Sequence, residues 1–539
     1  MASSAPECLN PFEGLNLGWL LATQAKERGS HPFIVYEPFD RPAITLSYRE
    51  FYAAANRLAA GLRRRGVRPG DRIVIHLDNC PEFLLSWSAC GLAGAVAVTT
   101  NTRSSEEELG YYAAHSEPVA AITQPAYAKL VKNACPRLGW VAVTDNDCGQ
   151  PFDAGDRPEA EEEFNRLLID AEEGRPGEVG PLDPLAIQYT SGTTARPKAV
   201  LWTHANALWA ARVSATHEAL LSTDTHHWVL PLFHTNALSY SWLACLWAGA
   251  TLVLQPRFSS SRFWAVALSN RCTWSSITAF CYRALLNGDI PRSHFFRNWG
   301  IAFSDPVVVE KFRIRPMSWW GMTETLTQGI VGYPHMPVPY GAIGRPAPEY
   351  RIRVLDPQGK PVVPGGSGAL HVGGIRGVSL FREYYRNADA TRDAFDEHGF
   401  FRTGDQVTLL DNGYVRFADR IKDMLKIGGE NVASLEIERA ISTVEGVEEA
   451  AVVAWPHPML DEVAIAFIRV GGVLKDKSHT EVAELVRAEC RRLLADFKIP
   501  REVHVLEDFP RANIGKTAKA ELRKWRQLHD TTSVSQTNR

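Results

Sequence analysis

Helical and extended segments alternate along the first hundred residues, and this alternation limits the fold more than any other feature of the chain. YREFYAAANRLAAGLRRRG, residues 48–66, has apolar residues at helical spacing and ends at a glycine, and DRIVIHL, residues 71–77, follows as a strand. EFLLSWSACGLAG (82–94) and AVAVTT (95–100) repeat that order. Such alternation predicts an α/β fold in which a mostly parallel sheet is flanked by helices.

The pattern changes after residue 411, where a second module begins. SLEIERAISTV predicts a helix with Ser434 as its N-cap and with Ile437, Ala440, Ile441 and Val444 on one face. EEAAVVAW and EVAIAFIRV follow as strands, and HTEVAELVRAECRRLLADF follows as another helix. We therefore predict a large N-terminal domain over residues 1–419, a small α+β domain over 420–528 and a disordered polar tail over 529–539.

The net charge and the cysteine pattern indicate which partners and which cellular compartment to expect. A net charge of −3 over 539 residues gives no electrostatic reason to expect nucleic acid or an anionic membrane. The nine cysteines are scattered without a C-x-x-C pair, which favours buried, reduced thiols in a cytoplasmic protein. The uncharged runs 83–102 and 228–256 contain Ser, Gly, Thr, Pro, His or Asn, so neither predicts a membrane span. Residues 1–14 lack the basic start and apolar core of a signal peptide.

YTSGTTARPKAV, residues 189–200, places five consecutive hydroxyl or glycine residues between an apolar strand and a lysine. Hydroxyls and backbone N–H groups are donors that can converge on an anion, so this stretch predicts a phosphate-binding loop between two strands. A polar Ser/Thr turn is the alternative that the stretch alone leaves open. The loop is not the nucleoside-triphosphatase P-loop, because the chain has no G-x-x-x-x-G-K-[ST] spacing.

Five motifs appear in order along the chain: YTSGTTARPKAV, WWGMTE (319–324), GFFRTGD (399–405), ADRIKDMLKIGGENV (418–432) and PRANIGKTAKAEL (510–522). Together they resemble the adenylate-forming superfamily of acyl-CoA synthetases, luciferases and peptide-synthetase adenylation domains. The resemblance covers nearly the whole chain and is closest to bacterial acyl-CoA ligases of the crotonobetaine/carnitine-CoA ligase type.

The resemblance implies a two-step reaction. A carboxylate attacks the α-phosphorus of ATP to give acyl-AMP and pyrophosphate, and the thiol of coenzyme A then attacks the acyl carbon and expels AMP. ATP, Mg²⁺ and coenzyme A are the implied cofactor and co-substrates. The implied partners are a small carboxylic acid, ATP and coenzyme A, and a homodimer is left open. The implied fold is a large N-terminal α/β domain with a small, mobile C-terminal α+β domain that rotates between the two steps.

The matched motifs assign residues to the nucleotide. The resemblance implies that the ATP phosphates are bound by Thr190, Ser191, Gly192, Thr193, Thr194 and Lys198. It implies further nucleotide contacts from Ala302, Phe303, Ser304, Trp320, Gly321, Met322 and Thr323, of which the first three match by position only. Asp405 and Arg420 are the implied ribose and phosphate contacts. Glu324 is the implied Mg²⁺ ligand, since one carboxylate with several waters suits that ion.

Three positions depart from the family pattern. Ala195 and Ala199 replace glycine, and if either needs a positive φ the alanine costs on the order of 1 kcal/mol. Trp320 replaces the usual tyrosine, and mere core packing is the alternative to adenine stacking. Other residues that match the family pattern also have alternative interpretations. Glu324 could be an exposed glutamate at a helix start. Asp405 and Arg420 could each form a salt bridge at a turn or hinge.

The remaining assignments concern catalysis and coenzyme A. Lys516 matches the catalytic lysine of the family, and His234 matches an aromatic gate between the acyl pocket and the pantetheine tunnel. Lys422 matches the hinge, and Gly428 and Gly429 match a turn that lets backbone approach the pantetheine. The alternative for Lys516 is a lysine that faces solvent, and the alternative for His234 is a core histidine with satisfied hydrogen bonds. For Lys422 and the two glycines the alternative is a charged linker before an ordinary Gly-Gly turn.

The implied acyl pocket is built from residues 235–238 and 278–282 and from Trp319. These residues are mostly apolar or neutral, which suits a moderately bulky organic acid. Phe233-His234 stands where amino-acid adenylation domains place Phe-Asp, so an amino-acid substrate is disfavoured. Rival functions are a luciferase-like oxygenase and an enzyme that loads a separate carrier protein. A noncatalytic binding protein would be expected to have lost Lys516 or Glu324.

Overall fold

Two compact units make up the chain. The computed structural model describes residues 11–145, 162–168, 179–190, 197–420, 424–510, 519 and 521–525. The larger unit ends at Asp419. The smaller unit contains the chain from Arg420 onward, and the segment Arg103–Leu109 and the residues Pro197 and Lys198 group with it. The tail predicted to be disordered, residues 529–539, lies outside the described residues.

The helices and strands are numbered in chain order. The helices are α1 (Leu17–Glu27), α2 (Tyr48–Arg64), α3 (Pro81–Ala93), α4 (Glu106–Ser116), α5 (Pro125–Ala134), α6 (His204–His217), α7 (Thr235–Ala237), α8 (Ala244–Ala248), α9 (Ser260–Ser269), α10 (Ala279–Leu286), α11 (Pro306–Phe312), α12 (Ala388–Asp393), α13 (Ser434–Ser442) and α14 (His479–Leu493). The strands before residue 300 are β1 (Pro32–Tyr36), β2 (Ile44–Ser47), β3 (Arg72–His76), β4 (Val96–Thr99), β5 (Ala120–Thr123), β6 (Trp140–Val143), β7 (Glu162–Glu163), β8 (Pro184–Thr190), β9 (Lys198–Thr203), β10 (Thr225–Trp228), β11 (Thr251–Leu254), β12 (Trp274–Ser276) and β13 (Asn298–Ile301). The later strands are β14 (Arg315–Trp320), β15 (Ile330–Gly332), β16 (Ala342–Pro346), β17 (Arg351–Leu355), β18 (Ser367–Gly373), β19 (Glu383–Tyr384), β20 (Phe400–Leu409), β21 (Val415–Arg420), β22 (Met424–Ile427), β23 (Glu430–Ala433), β24 (Val447–His457), β25 (Asp461–Val470) and β26 (Glu502–Val505).

Helix α2 forms as its sequence predicts. Ser47 caps its N-terminus in a capping box with Glu50, and Arg63 and Arg64 lie in the last turn, where positive charge favours the helix dipole. Helix α3 is buried around its whole circumference, so the uncharged run 83–102 is a core helix followed by strand β4. Within the described segments, no helix combines the length and the apolarity needed to cross a bilayer.

The smaller of the two sheets in the larger unit has the order β19-β9-β8-β4-β3-β5-β6-β7 among the described residues. The pairs β3–β4, β3–β5, β4–β8, β5–β6 and β6–β7 are parallel. The alternating pattern predicted this arrangement, and the fold class is confirmed. Strands β8 and β9 are neighbours, so the stretch between Thr190 and Lys198 joins adjacent strands of one sheet.

The other sheet has thirteen strands among the described residues, in the order β17-β18-β20-β21-β16-β15-β14-β13-β12-β10-β11-β1-β2. Its centre is parallel from β11 to β14, and β14, β15 and β16 then pair in antiparallel fashion. The carboxyl ends of the parallel strands β12, β13 and β14 therefore share one edge, which is where open α/β sheets bind ligands.

The smaller unit is an α+β module built around β24 and β25. Helix α13 buries Ile437, Ala440 and Ile441 as predicted, but its N-cap is Ala433 and not Ser434. Strands β22 and β23 form a hairpin whose two-residue turn is Gly428-Gly429, with φ of +60° and +94°. A two-residue turn with positive φ at both positions matches the right-handed twist of the strands, so this turn favours glycine.

The cysteines match the prediction of buried, reduced thiols. The cysteines that the structure describes are all buried and unbridged, namely Cys80, Cys90, Cys135, Cys245, Cys272, Cys281 and Cys490. Burial raises the pKa of Cys90 to about 12 and that of Cys281 to about 11, so these thiols are protonated and inert at neutral pH.

His226 makes the stability of the larger unit dependent on pH. Its ring is fully buried on β10, stacks on Trp274 at 5.2 Å, and has no hydrogen-bond partner for either nitrogen among the described residues. Burial lowers the pKa of His226 to about 3, against about 6.5 for an unfolded chain. The unfolded chain binds the extra proton below pH 6.5, so the contribution of the neutral ring is complete above that pH and is lost as the pH falls towards 3.

We expect His226→Phe to resist mild acid better than the unchanged protein. At pH 5 the unfolded-state proton removes about 2 kcal/mol through this one residue, and phenylalanine cannot take up that proton. Urea unfolding at pH 8 and pH 5 measures the difference. His479→Phe, which makes the same substitution at an exposed position, is the matched control. An equal loss of stability between the two pH values in His226→Phe and the unchanged protein would contradict the assignment.

Candidate functional site

The turn after β14 carries the WWGMTE motif and leads to a buried carboxylate. Gly321 is required here, because a Cβ would lie 2.3 Å from the Tyr240 hydroxyl and 2.7 Å from the carbonyl oxygen of Thr327. Glu324 lies in a short 3-10 turn and is 3% exposed, so the alternative of an exposed glutamate at a helix start is wrong. The Tyr384 hydroxyl donates to Glu324 Oε1 at 2.8 Å. Burial and the adjacent Glu324 carboxylate raise the pKa of Tyr384, which therefore stays a donor.

Thr323 joins this turn to the strands on both sides of the predicted phosphate loop. Trp202 of β9 donates its indole N–H to the Thr323 carbonyl at 3.0 Å. The Thr235 hydroxyl lies 3.0 Å from the Thr323 hydroxyl and donates to Gln188 Oε1 at 2.7 Å. Gln188 precedes Thr190 by two residues on β8, so both side chains lie on one face of that strand. The motif is therefore in contact with β9 through Trp202, and with β8 through Thr235 and Gln188.

A bulge in β20 turns the Asp405 side chain towards Trp320. Thr403, Gly404 and Asp405 lie opposite the single residue Leu370 of β18, and Gly404 has a φ of +79°. The Thr403 hydroxyl donates to the Leu370 carbonyl at 2.7 Å and accepts the Asp405 N–H at 3.1 Å. Bulges of this kind redirect a side chain and are frequent next to functional sites. The RTGD motif thus encodes a bulge.

Trp320, the last residue of β14, contacts Asp405 directly. Its indole N–H donates to Asp405 Oδ2 at 2.8 Å, and both side chains are buried, with exposures of 8% and 7%. The ring lies over Gly329, where a Cβ would be 3.1 Å from the ring edge. Trp320 is therefore packed in the core and also bonded to the residue predicted to hold the ribose.

The segment predicted to meet adenine follows β13. Ala302 is exposed and Phe303 is half-buried at the carboxyl end of this parallel strand. Ser304 anchors the segment: its N–H donates to the Ala342 carbonyl at 2.9 Å and its hydroxyl donates to the Val338 carbonyl at 3.2 Å. The structure thus brings these residues to the edge of the sheet that carries Trp320.

The segments of the predicted acyl pocket also lie together. The Ser276 hydroxyl donates to Asn236 Oδ1 at 3.0 Å, which joins the end of β12 to α7. The Trp319 ring packs on Gly300, where a Cβ would lie 1.8 Å from the ring, and faces Tyr240 at 5.5 Å between ring centroids. Residues 238–243 after α7 form a π-helical turn, a feature frequent at functional sites.

His234 is the residue immediately before α7, at its N-cap position. Its ring contacts Phe233 at 4.3 Å and is half-buried, so it is not a core histidine. Tyr282 of α10 donates its hydroxyl to Asp305 Oδ2 at 2.8 Å, and Asp305 in turn caps α11 through the Val307 N–H. Sequence reasoning missed Asp305, Gln188 and Tyr384. The only sequence signal for Gln188 was one polar residue inside the apolar strand LAIQYT.

Several predicted site residues lie outside the described residues: Ser191, Gly192, Thr193, Thr194, Ala195, Lys422 and Lys516. The side chain of Arg420, at the end of β21, is also outside the description. Ala199 lies in β9 and is not among the residues with positive φ, so no backbone strain arises from alanine there. Gly428 and Gly429 lie at the hairpin turn of the smaller unit.

The amino-acid sequence matches two family models. The model described as AMP-binding enzyme covers residues 21–385, and the model described as AMP-binding enzyme C-terminal domain covers residues 436–516. The crotonobetaine/carnitine–CoA ligase of Proteus mirabilis is 31% identical over 91% of this chain and 95% of its own. The crotonobetaine/carnitine–CoA ligase of Salmonella paratyphi A is 30% identical over 95% of this chain and 99% of its own.

Solved structures match the whole chain as well. The fatty acyl CoA synthetase of Mycobacterium tuberculosis superposes with a TM-score of 0.67 at 26% identity, covering 95% of this chain and 98% of its own. ATP-bound MatB from Rhodopseudomonas palustris superposes with a TM-score of 0.66 at 25% identity, covering 95% of this chain and 99% of its own.

The bond from Tyr384 to Glu324 should contribute measurably to stability. Tyr384→Phe removes one donor from a buried carboxylate, and we expect unfolding free energy to fall by about 1.5–3 kcal/mol. Tyr385→Phe makes the same change at the next residue, which is half-buried, and should cost less than about 0.5 kcal/mol. Urea unfolding of both variants measures the difference. Equal losses in the two variants would show that the hydroxyl of Tyr384 adds nothing specific to Glu324.

Proposed function

Because the chain belongs to the AMP-binding enzyme family and is an AMP-forming acid–thiol ligase, we propose that it adenylates a carboxylic acid, transfers the acyl group to coenzyme A, and rotates its smaller unit between the two steps. The family assignment drawn from the five motifs is confirmed by the family models and the relatives. The observation that carries the proposal is the meeting of Thr323, Glu324, Trp320 and Asp405 around the end of β14.

In the first half-reaction two anions must approach each other. The carboxylate oxygen forms a bond to the α-phosphorus of ATP, and the bond to the leaving pyrophosphate breaks. A cation between the reactants stabilises the transition state more than the separate reactants, which is the role we propose for Lys516. Thr190 and Lys198 flank the loop that we propose to hold the phosphates, together with Ser191, Gly192, Thr193 and Thr194.

Glu324 suits the role of a Mg²⁺ ligand. Mg²⁺ in phosphate sites is held by one or two carboxylates and keeps several waters, and Glu324 is a single carboxylate whose orientation is fixed by Tyr384. When bound, the ion neutralises charge on the phosphates. The chain itself supplies the fixed carboxylate, and Thr323 beside it offers a hydroxyl to a phosphate oxygen.

The rest of the nucleotide is assigned to residues at the edge of the large sheet. We propose that the ribose hydroxyls donate to Asp405, since an ionised carboxylate accepts two neighbouring O–H groups. Arg420 is proposed as a second ribose or phosphate contact. Adenine is proposed to lie against Trp320 and the segment of Ala302, Phe303 and Ser304, with Gly321 and Met322 completing the wall.

The acid substrate is proposed to be a moderately bulky organic acid. We propose that its pocket is built from residues 235–238 and 278–282 and from Trp319, which are mostly apolar or neutral; Trp319 packs near Tyr240, and Ser276 bonds to Asn236. The relatives named above act on crotonobetaine and carnitine by their names, so these two acids are the first to test. His234, half-buried beside α7, is proposed as the gate towards coenzyme A.

A pyrophosphate-release screen over a library of carboxylic acids, with and without coenzyme A, tests the proposed function. We expect one class of acid to release pyrophosphate, and coenzyme A to convert a single turnover into sustained release with formation of thioester. Pyrophosphate release that does not change when coenzyme A is added would favour an enzyme that loads a carrier protein. Oxygen consumption that depends on the acid would favour a luciferase-like enzyme. No release with any acid would refute adenylation.

Lys516→Ala should separate the two half-reactions. Adenylation should slow by roughly 10²–10³, the effect of losing one preorganised charge contact, while thioester formation from presynthesised acyl-AMP should persist. Lys524→Ala, an exposed lysine paired with Glu521, is the matched control and should leave both steps unchanged. If both half-reactions fall equally in Lys516→Ala, the assigned role is wrong.

Rotation of the smaller unit predicts variants that stop between the steps. Lys422→Pro fixes φ at the proposed hinge, and Gly429→Leu places a side chain where pantetheine would pass. Both variants should form acyl-AMP at a normal rate and then stall before the thioester. Gly359→Leu is the control for turn strain, because Gly359 also has a positive φ, of +77°, and a Cβ there would meet no atom within 4 Å. Single-turnover assays measure acyl-AMP formation and thioester formation separately. Normal thioester formation in both variants would contradict the proposed rotation.

A further inference from the structure

The bond between Trp320 and Asp405 joins two residues that the motifs assign to different parts of the nucleotide. The indole N–H is the only hydrogen-bond donor of the Trp320 side chain, and it is directed at Asp405 Oδ2 at 2.8 Å. A bond to a carboxylate is charge-assisted and roughly twice as strong as a neutral one. Both side chains are more than nine-tenths buried, so water cannot replace this donor.

The position of Trp320 is fixed independently of Asp405. Its backbone carbonyl accepts the N–H of Gly329 at 2.9 Å, and its ring packs against the bare Cα of the same glycine. Trp320 is also in register with Ile330 of β15. The indole is therefore a rigid support against which the carboxylate can be oriented.

The orientation of the Asp405 carboxylate is a separate matter from that of its backbone. The bulge of β20 fixes the backbone through Thr403, and the indole N–H bonds the carboxylate itself. A hydrogen bond to Oδ2 selects one orientation and keeps the remaining lone pairs directed away from the indole. Phenylalanine or tyrosine would keep an aromatic face at position 320 and would have no N–H at this point.

We propose that the Trp320 indole N–H positions the Asp405 carboxylate to accept the ribose hydroxyls, and that this bond sets the preference of the enzyme for ribonucleotides over deoxyribonucleotides. The inference rests on the proposed function, in which Asp405 holds the ribose. It assigns Trp320 a positioning role that is separate from stacking on adenine, because stacking does not distinguish ribose from deoxyribose.

Calorimetric binding of AMP, 2′-deoxy-AMP and 3′-deoxy-AMP to the full chain tests this role. In the unchanged protein, loss of a hydroxyl bonded to a carboxylate should weaken binding by roughly tenfold or more. Trp320→Phe keeps a ring for stacking and removes the N–H. We expect it to weaken AMP by about tenfold and the affected deoxynucleotide hardly at all, so the ratio of the two affinities collapses.

Further variants keep the test decisive. Trp209→Phe removes an indole N–H that donates to the Tyr350 hydroxyl at 3.1 Å, and it should leave the ratio unchanged. Asp405→Asn keeps the shape and an acceptor for the indole but removes the charge, and it should lower the ratio as Trp320→Phe does. Combining Trp320→Phe with Asp405→Asn should lower it no further, because both act through the contact between position 405 and the ribose. If Trp320→Phe does not fold, Trp320→Tyr replaces it with the same expected ratio.

The outcomes separate the inference from the function on which it rests. If Trp320→Phe weakens AMP and the deoxynucleotides equally, Trp320 only stacks and the inference is overturned, while nucleotide binding stands. If Asp405→Asn lowers the ratio and Trp320→Phe leaves it intact, Asp405 needs no support and the inference is again overturned. If the unchanged protein binds no AMP at all, the proposed function fails and the inference fails with it.

Discussion

A buried carboxylate needs donors, and the structure around Glu324 follows from that need. Tyr384, on β19 of the smaller sheet, donates to Glu324 after β14 of the larger sheet. Trp202 of β9 reaches the same turn through the Thr323 carbonyl. The two sheets are therefore joined at the motif, and β9 and β19 of the smaller sheet are held against it.

The packing of the site also requires side chains to lie directly against the backbone of particular glycines. Gly321 and Gly300 leave no room for a Cβ, because the Tyr240 hydroxyl and the Trp319 ring occupy that space. Gly404 permits the bulge that turns Asp405 towards Trp320. Gly321 and Gly300 therefore leave room for different side chains, and Gly404 is needed for its backbone conformation. The motifs keep their glycines for packing and backbone conformation, and their charged residues supply the chemistry.

The polar side chains that hold the site are distributed over distant parts of the chain. Gln188, Thr235 and Thr323 come from three separate elements and meet within hydrogen-bond distance. Such groups are stable in a core only when they are paired, and a partly paired set is costly. Gln188 and Thr235 thus hold the motif in place through Thr323, although neither lies in one of the five motifs.

The sequence alone determined the features that depend on neighbouring residues. Helical spacing predicted α2, the alternation of helices and strands predicted α3 and the parallel sheet, and the order of short motifs identified the family. The pairings of Trp320 with Asp405 and of Tyr384 with Glu324 were decided only by the tertiary structure. Those partners are 85 and 60 residues apart along the chain. Local propensity carries no information on which distant side chains meet, because that is fixed by strand order, register and the bulge in β20.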